Sequence, residues 1–562
     1  MRCFHWAAVV AAAAYGFFIF CTLPPTVSVW NDDFGYLRSV VETLQRHRPW
    51  TDDWLEPWAA SLSLLSAGVY KLSGNFTAAT YGLLAALGAG SVLGLFALLR
   101  RRQIGTGLAL AIALVVLTFP TFLWKELEFT GVPLHLATLI LALLLAERGR
   151  WLGFTLVWIV AIANRQSALL WAVLPGLECL RGCSTPPGRA AREWRAPLMS
   201  LAAGVGIFAL LTKTMNVTHA QSLVTANLVG RFDRARLVPY TTLAAGVFCV
   251  AAGLIRLAAP PGTAAPAIAR SQGWLMRILP ILLCGVLLVF GLVRLLGMEH
   301  RGFYDPMHRA YFRLLVVVAI AGWLRPGIGF DWRMAACAGA ALAFLFLREE
   351  LWDYYLLDIV FFGLAASVPA AETEPPVPSR PGGKIRWHRL RLVVLSGVLL
   401  ALFTFHVRAA YRIKLAIDSV TTIDQLAERA LRAGAIQVSE IGFTNLGYMG
   451  WHLNPYFVAV GAKEDARQIG FVRYLGGTRR LWVEAHRVSG LDNGATPTDS
   501  SVMASGMFSD LWIYRDASVL RAGSAAAPTL ARPIDPRLYS PQWLPLTNAE
   551  WKMLIERKQI KG

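Results

Sequence analysis

Through its first 407 residues this chain returns again and again to apolar runs long enough to cross the roughly 30 Å of a bilayer's hydrocarbon. Lipid offers no partner to a backbone N–H or C=O, so such runs fold as helices or not at all. With 56% hydrophobic and 16% charged residues and a mean hydropathy of +0.48, the composition is that of a polytopic helical membrane protein. A net charge of +19 would otherwise point to nucleic acid. Here the basic residues punctuate the apolar runs, which is a topology signal instead. None of the seven cysteines (Cys3, Cys21, Cys179, Cys183, Cys249, Cys284, Cys337) follows residue 407, and no CxxC or Cys/His cluster exists. The cysteines therefore point to neither structural zinc nor a disulfide framework. Residues 1–25 look like a signal peptide, but Thr22-Leu23-Pro24-Pro25 has no small-x-small cleavage site, so a retained anchor is expected.

Taken in order, spans are expected at about 6–27, 77–99, 104–123 and 131–146, with two shortened helices in 151–180. Further spans follow at about 197–213, 239–257, 275–297, 312–324, 333–347, 356–370 and 392–407, about thirteen crossings in all. Met1-Arg2, Arg100-Arg101-Arg102, Glu147-Arg148-Gly149-Arg150 and the arginines of 181–196 mark the inner face. Between Asp33 and Trp50, Phe34, Leu37, Val41 and Leu44 recur at helical spacing, as in an amphipathic surface helix, and 59–72 is a candidate re-entrant piece. The predicted architecture is an all-α polytopic membrane bundle (1–407) followed by a small outer, periplasmic α/β domain (408–562). In that tail the β-prone runs are Ala435–Phe443, Tyr456–Val460, Phe471–Leu475, Leu481–Ala485 and Leu511–Tyr514, with a helical stretch from Thr422 to Leu431. No internal repeat suggests a transporter's paired halves.

The polar residues are more telling than the spans. Trp30-Asn31-Asp32-Asp33-Phe34-Gly35-Tyr36 leaves the first span with two adjacent carboxylates held against the hydrocarbon edge, at a cost in desolvation and repulsion. Read blandly, these acids cap a helix. Four more clusters share the same predicted face: Lys125/Glu126/Glu128, Arg165/Gln166, His300 through Arg313 (with Asp305, His308, Arg309 and Tyr311), and Arg348/Glu349/Glu350 with Asp353 and Tyr354. Each has its ordinary reading: a loop pair, an arginine on helix-end carbonyls, an interfacial histidine, an aromatic belt, a surface ion pair. Five of them on one face of an apolar bundle call for a common cause.

Breaking the bond between a sugar and a polyprenyl phosphate suits this inventory. The phosphate leaves as an anion and needs no general acid, so a single carboxylate, deprotonating the acceptor hydroxyl, is sufficient. The departing phosphate does need cations, and arginine gives it bidentate contacts.

The layout resembles the GT-C superfamily of polyprenyl-phosphate-sugar-dependent glycosyltransferases, which carry an acidic pair in the first outer loop. The thirteen-span-plus-tail arrangement is similar to the lipid A aminoarabinose transferase group. Asn31-Asp32-Asp33-Phe34-Gly35-Tyr36 matches the first-loop motif, which implies Asp32 or Asp33 as base. Glu126-Leu127-Glu128 stands where some members carry a second acidic motif. Asn164-Arg165-Gln166-Ser167 with Trp171 is similar to the Arg-Gln-Thr stretch of dolichyl-phosphate-glucose glucosyltransferases. Tyr354-Tyr355-Leu356-Leu357 resembles a Tyr-x-Leu-Pro stretch, with Asp358 replacing the proline.

The expectation is thus an inner-membrane, multi-pass glycosyltransferase, its N-terminus cytoplasmic and its tail periplasmic. It moves a sugar from a polyprenyl-phosphate donor to an envelope glycan, lipid or protein acceptor. Asp32 and Asp33 are the candidate catalytic residues; Arg165, Gln166, His308, Arg309, Tyr311, Arg313, Arg348, Lys125, Glu126 and Glu128 are candidate donor or substrate contacts. No cofactor is required; the acids could accept a divalent metal, though no ligand spacing demands one. Two rivals are a transporter or flippase of lipid-linked saccharides, which needs ionisable groups near mid-membrane where these spans are almost wholly apolar, and a non-catalytic envelope scaffold.

Overall fold

The computed structural model describes residues 2–24, 27, 33–51, 60–183, 194–214, 253–259, 331–345, 357–368 and 392–411, four strands between 438 and 514, and a few isolated positions. Its body is helical. In chain order come α1 (Arg2–Thr22), α2 (Asp33–Arg46), α3 (Ser61–Ser73), a π-turn (Ala78–Gly82) leading into α4 (Leu83–Arg101), α5 (Thr106–Leu117), α6 (Pro120–Glu126), α7 (Gly131–Glu147) and α8 (Trp151–Ile162). A 3₁₀ segment (Gln166–Ala172) then runs into α9 (Val173–Cys183), and the helices Arg195–Thr214, Trp332–Leu345, Leu357–Ser367 and Leu392–Tyr411 follow. Among the described residues, Ala78–Arg101 and Leu392–Tyr411 are long and apolar enough to cross a membrane, and seven shorter apolar helices accompany them.

Local chemistry explains several boundaries. Thr130 caps α7 by accepting from the Val132 amide, and Gly149, at φ +65°, supplies the left-handed reversal between α7 and α8. The span expected to run unbroken over 104–123 is interrupted: α5 ends at Leu117 and Pro120 opens α6. Proline removes an amide and disfavours helical geometry in the residue before it, and Phe119 is accordingly extended at φ −54°, ψ 129°. α2 occupies the amphipathic stretch, burying Leu37, Val40, Val41 and Leu44 and packing on α3.

Packing runs from α1 to α4, from α4 to α7, from α7 to α8 and from α8 to Arg195–Thr214. Small residues let the first pair approach: a Cβ on Gly16 would stand 2.7 Å from the Ala85 carbonyl oxygen. Leu357–Ser367 is buried along its whole length. Its last carbonyls, which no helical amide can reach, are taken by other elements. Arg102 donates to Ala365 O (3.2 Å), the Asp331 amide to Ala366 O (2.8 Å) and Arg256 to Ser367 O (3.2 Å). Arg102 also pairs with Glu147, which Arg101 reaches at 3.3 Å, while Arg333 pairs with Glu178 and, at 3.0 Å, with Asp331. All of these bonds lie at the end of the bundle where α4 and α7 finish, hereafter the basic end. The opposite end carries the junction between α8 and the 3₁₀ segment, hereafter the tip.

The tail holds a four-stranded mixed sheet, β1 (Val438–Ile441), β2 (Ile469–Leu475), β3 (Ser500–Ser505) and β4 (Ser509–Tyr514), in the order β1-β2-β4-β3. β1 and β2 are parallel; β4 is antiparallel to both β2 and β3, with an irregularity between Val502 and Ala504. Three of the β-prone runs contain or overlap β1, β2 and β4. The polar β3 gives no such signal, and Tyr456–Val460, Leu481–Ala485 and Thr422–Leu431 lie outside the described residues.

Candidate functional site

At the tip, α8 stops after twelve residues, about 18 Å of helix, and the chain passes through Asn164 and an extended Arg165 (φ −151°, ψ 137°) into the 3₁₀ segment. The expected pair of shortened helices meeting at a polar tip is the geometry found. Asn164, Arg165, Gln166 and Ser167 are all buried there, so the tip is covered by protein. The Ala163 carbonyl accepts from the amides of Ala60 and Ser61 (3.0 and 2.9 Å), and Asn164 Nδ2 donates to Gly131 O at 2.6 Å.

Gly131 is the point where α2, the start of α7 and the tip approach one another. A Cβ built on it would stand 3.0 Å from the Tyr36 hydroxyl, 3.1 Å from Asn164 Oδ1 and 3.5 Å from Arg165 Cγ. Tyr36 belongs to the first-loop motif, Gly131 follows the second acidic segment, and Asn164-Arg165 is the tip. A side chain here would meet the Tyr36 and Asn164 oxygens at a tight contact distance, so the close approach is made at a residue with no Cβ.

The second acidic segment does not stand out in a loop. The break at Pro120 folds it back against the bundle, and Lys125, Glu126 and Glu128 are all buried. Lys125 pairs with Glu128, and the Tyr15 hydroxyl donates to Glu126 Oε2 at 2.5 Å and to the Leu117 carbonyl at 3.2 Å. Burial pushes the Glu126 carboxyl up to about 8, against the lowering effect of the Tyr15 hydrogen bond.

A third group was not anticipated as a site. Asp358 accepts from His135 Nε2, 3.0 and 3.1 Å from its two oxygens, and from Trp171 Nε1 at 2.9 Å. All three side chains are buried, with the His135 and Trp171 rings 5.3 Å apart. The sequence held a signal for it, a histidine inside the apolar α7 and an aspartate opening an apolar helix, since ionisable residues in such runs need partners.

Asp33 is the first residue of α2. Asp32, His308, Arg309, Tyr311, Arg313 and Arg348 lie outside the described residues, as do Asp305, Glu349, Glu350, Asp353 and Tyr354. Among the described residues no three His, Cys, Asp or Glu side chains gather as a metal site.

No protein-family model matches this chain, and no curated protein does. Among solved structures it is similar to the crystal structure of ArnT from Cupriavidus metallidurans bound to undecaprenyl phosphate. The identity is 13%, over 93% of this chain and 99% of that one, with a TM-score of 0.35. The function of this chain is therefore argued from its own residues.

Proposed function

We propose that this protein is a membrane-embedded glycosyltransferase of the GT-C kind, moving a sugar from a polyprenyl-phosphate donor to an envelope glycan, lipid or protein acceptor. Residues 1–407 form the thirteen-span catalytic unit of an inner-membrane protein, and 408–562 an outer domain. One observation carries the reading: the first-loop helix, the turn after the acidic segment and the arginine tip converge at Gly131.

Asp32 or Asp33 takes the proton of the acceptor hydroxyl as its oxygen attacks the anomeric carbon. The bond from that carbon to the phosphate oxygen breaks, and the polyprenyl phosphate leaves with the electron pair. Arg165 holds the departing anion, joined by Arg309, Arg313 or Arg348 from the later loops. Buried as it is, its guanidinium acts in a medium where a charge contact is worth several times its value in water. His135 lies four residues into α7, about 6 Å from its start, and Asp358 is second in its helix, so both sit near the tip, whereas Glu126, bonded to Tyr15 of α1, lies deeper.

The test is transfer from a polyprenyl-phosphate sugar by membranes containing Asp32→Asn/Asp33→Asn or Arg165→Gln. Each is expected to lose at least about 100-fold in rate, the scale of a lost general base or of a lost electrostatic contact to the departing anion. Undiminished transfer by the double aspartate variant would remove these residues from the mechanism.

A further inference from the structure

The segment that presents Arg165 is anchored on both sides by groups from other elements. Before it, Ala163 O accepts from the start of α3, and Asn164 is bonded to Gly131 of α7. After it, Trp158 Nε1 donates to Ala168 O at 2.6 Å, and Trp171 Nε1 donates to Asp358. Asp358 differs from the other anchors in carrying a carboxylate to the meeting point of three elements: its own helix, α7 through His135, and the 3₁₀ segment through Trp171.

That helix is held at its far end too. The bonds from Arg102, the Asp331 amide and Arg256 to its last three carbonyls leave it little freedom to slide or turn. A 3₁₀ segment has poorer hydrogen-bond geometry than an α-helix and is the kind of element that loosens first. Its position therefore depends on what it is tied to. At the start of its helix, Asp358 is favoured by the helix dipole, and two neighbouring N–H groups complete its partners. His135 Nδ1 has no partner among the described residues, so the described bonds of that ring go to Asp358 alone.

We infer that Asp358, with His135 and Trp171, is a positioning unit: it ties the 3₁₀ segment to the pinned central helix and so fixes the Arg165 guanidinium where the donor phosphate binds. The use of the anchor rests on the glycosyltransferase reading; the anchor itself does not. Asp358 touches no substrate in this account. It acts through Arg165.

The experiment uses the full-length protein in lipid nanodiscs, with two readouts: amide hydrogen exchange over 163–172, and affinity for a long-chain polyprenyl monophosphate. In Asp358→Asn, exchange over 163–172 is expected to rise by about tenfold or more, and binding to weaken by about tenfold, the effect of losing one charge-assisted hydrogen bond. In an Arg165→Gln background the same substitution is expected to speed exchange equally but to weaken binding no further. Where Asp358→Asn does not fold, Trp171→Phe removes a single N–H donor and is read in the same way. Unchanged exchange over 163–172 overturns the anchor. A full-sized loss of binding in the Arg165→Gln background overturns action through Arg165, because it shows a general effect on the fold. Wild-type binding by Arg165→Gln alone overturns the proposed function, while faster exchange in Asp358→Asn would still support the anchor.

Discussion

At the scale of single residues, Glu126 shows what burial does to a carboxyl that sequence places in a loop. Its value in the folded protein, about 8, lies above its ordinary 4.5 because the charged form has lost its water. The protonated form therefore favours the folded protein. That contribution is complete below about pH 4.5 and disappears as pH rises through about 8. Glu126→Gln, which cannot ionise, is expected to match wild type in thermal stability at pH 5 and to exceed it at pH 9; parallel curves across that range would refute the buried-acid account. Arg165 is the opposite case. The residue types around it announced a polar break in an apolar run, and the break is there. What the letters did not carry is that its neighbour Asn164 closes onto the carbonyl of a glycine 33 residues earlier.

Among elements, the stretch from the end of α5 to the start of α7 decides the most. One proline turns a segment expected to cross without interruption into two helices and folds its charges inward. The glycine that follows holds the approach of Tyr36, Asn164 and Arg165. Gly131→Ala would crowd oxygens at 3.0 and 3.1 Å, and overpacking of this kind typically costs about 1–3 kcal/mol. The expected outcome is a protein that still folds, with a modestly lower melting temperature and a loss of polyprenyl-phosphate affinity larger than that drop explains. Undisturbed binding in Gly131→Ala would separate this junction from the site.

For the whole molecule, the two ends have different tasks. The basic end is structural: Arg102, 1% exposed, pairs with Glu147 and donates to the carbonyls of Leu98 and Ala365. Removing one partner of a buried pair commonly costs about 3–5 kcal/mol, so Glu147→Ala should lower thermal stability sharply while leaving the affinity of the surviving folded protein unchanged. A Glu147→Ala protein as stable as wild type would contradict this division. The proposed topology also has a direct check. With the native cysteines replaced, Arg48→Cys should react with an impermeant maleimide on intact cells, and Arg148→Cys only after permeabilisation. The reverse pattern would invert the assignment of faces.

The amino-acid sequence by itself determined the helical character of the body, the amphipathic α2, the break at Asn164-Arg165 and three of the four described strands in the tail. Each follows from local facts: hydrophobic periodicity, proline and glycine geometry, and the cost of an unpaired backbone in lipid. Only the tertiary structure decided that Tyr36, Gly131, Asn164 and Arg165 share one point, that Glu126 is buried beneath Tyr15, and that Asp358 finds His135 and Trp171. Those pairings join residues from 33 to more than 200 positions apart. Which of many apolar helices lie side by side is settled by packing small residues against large ones, and periodicity within one helix carries almost no record of that choice.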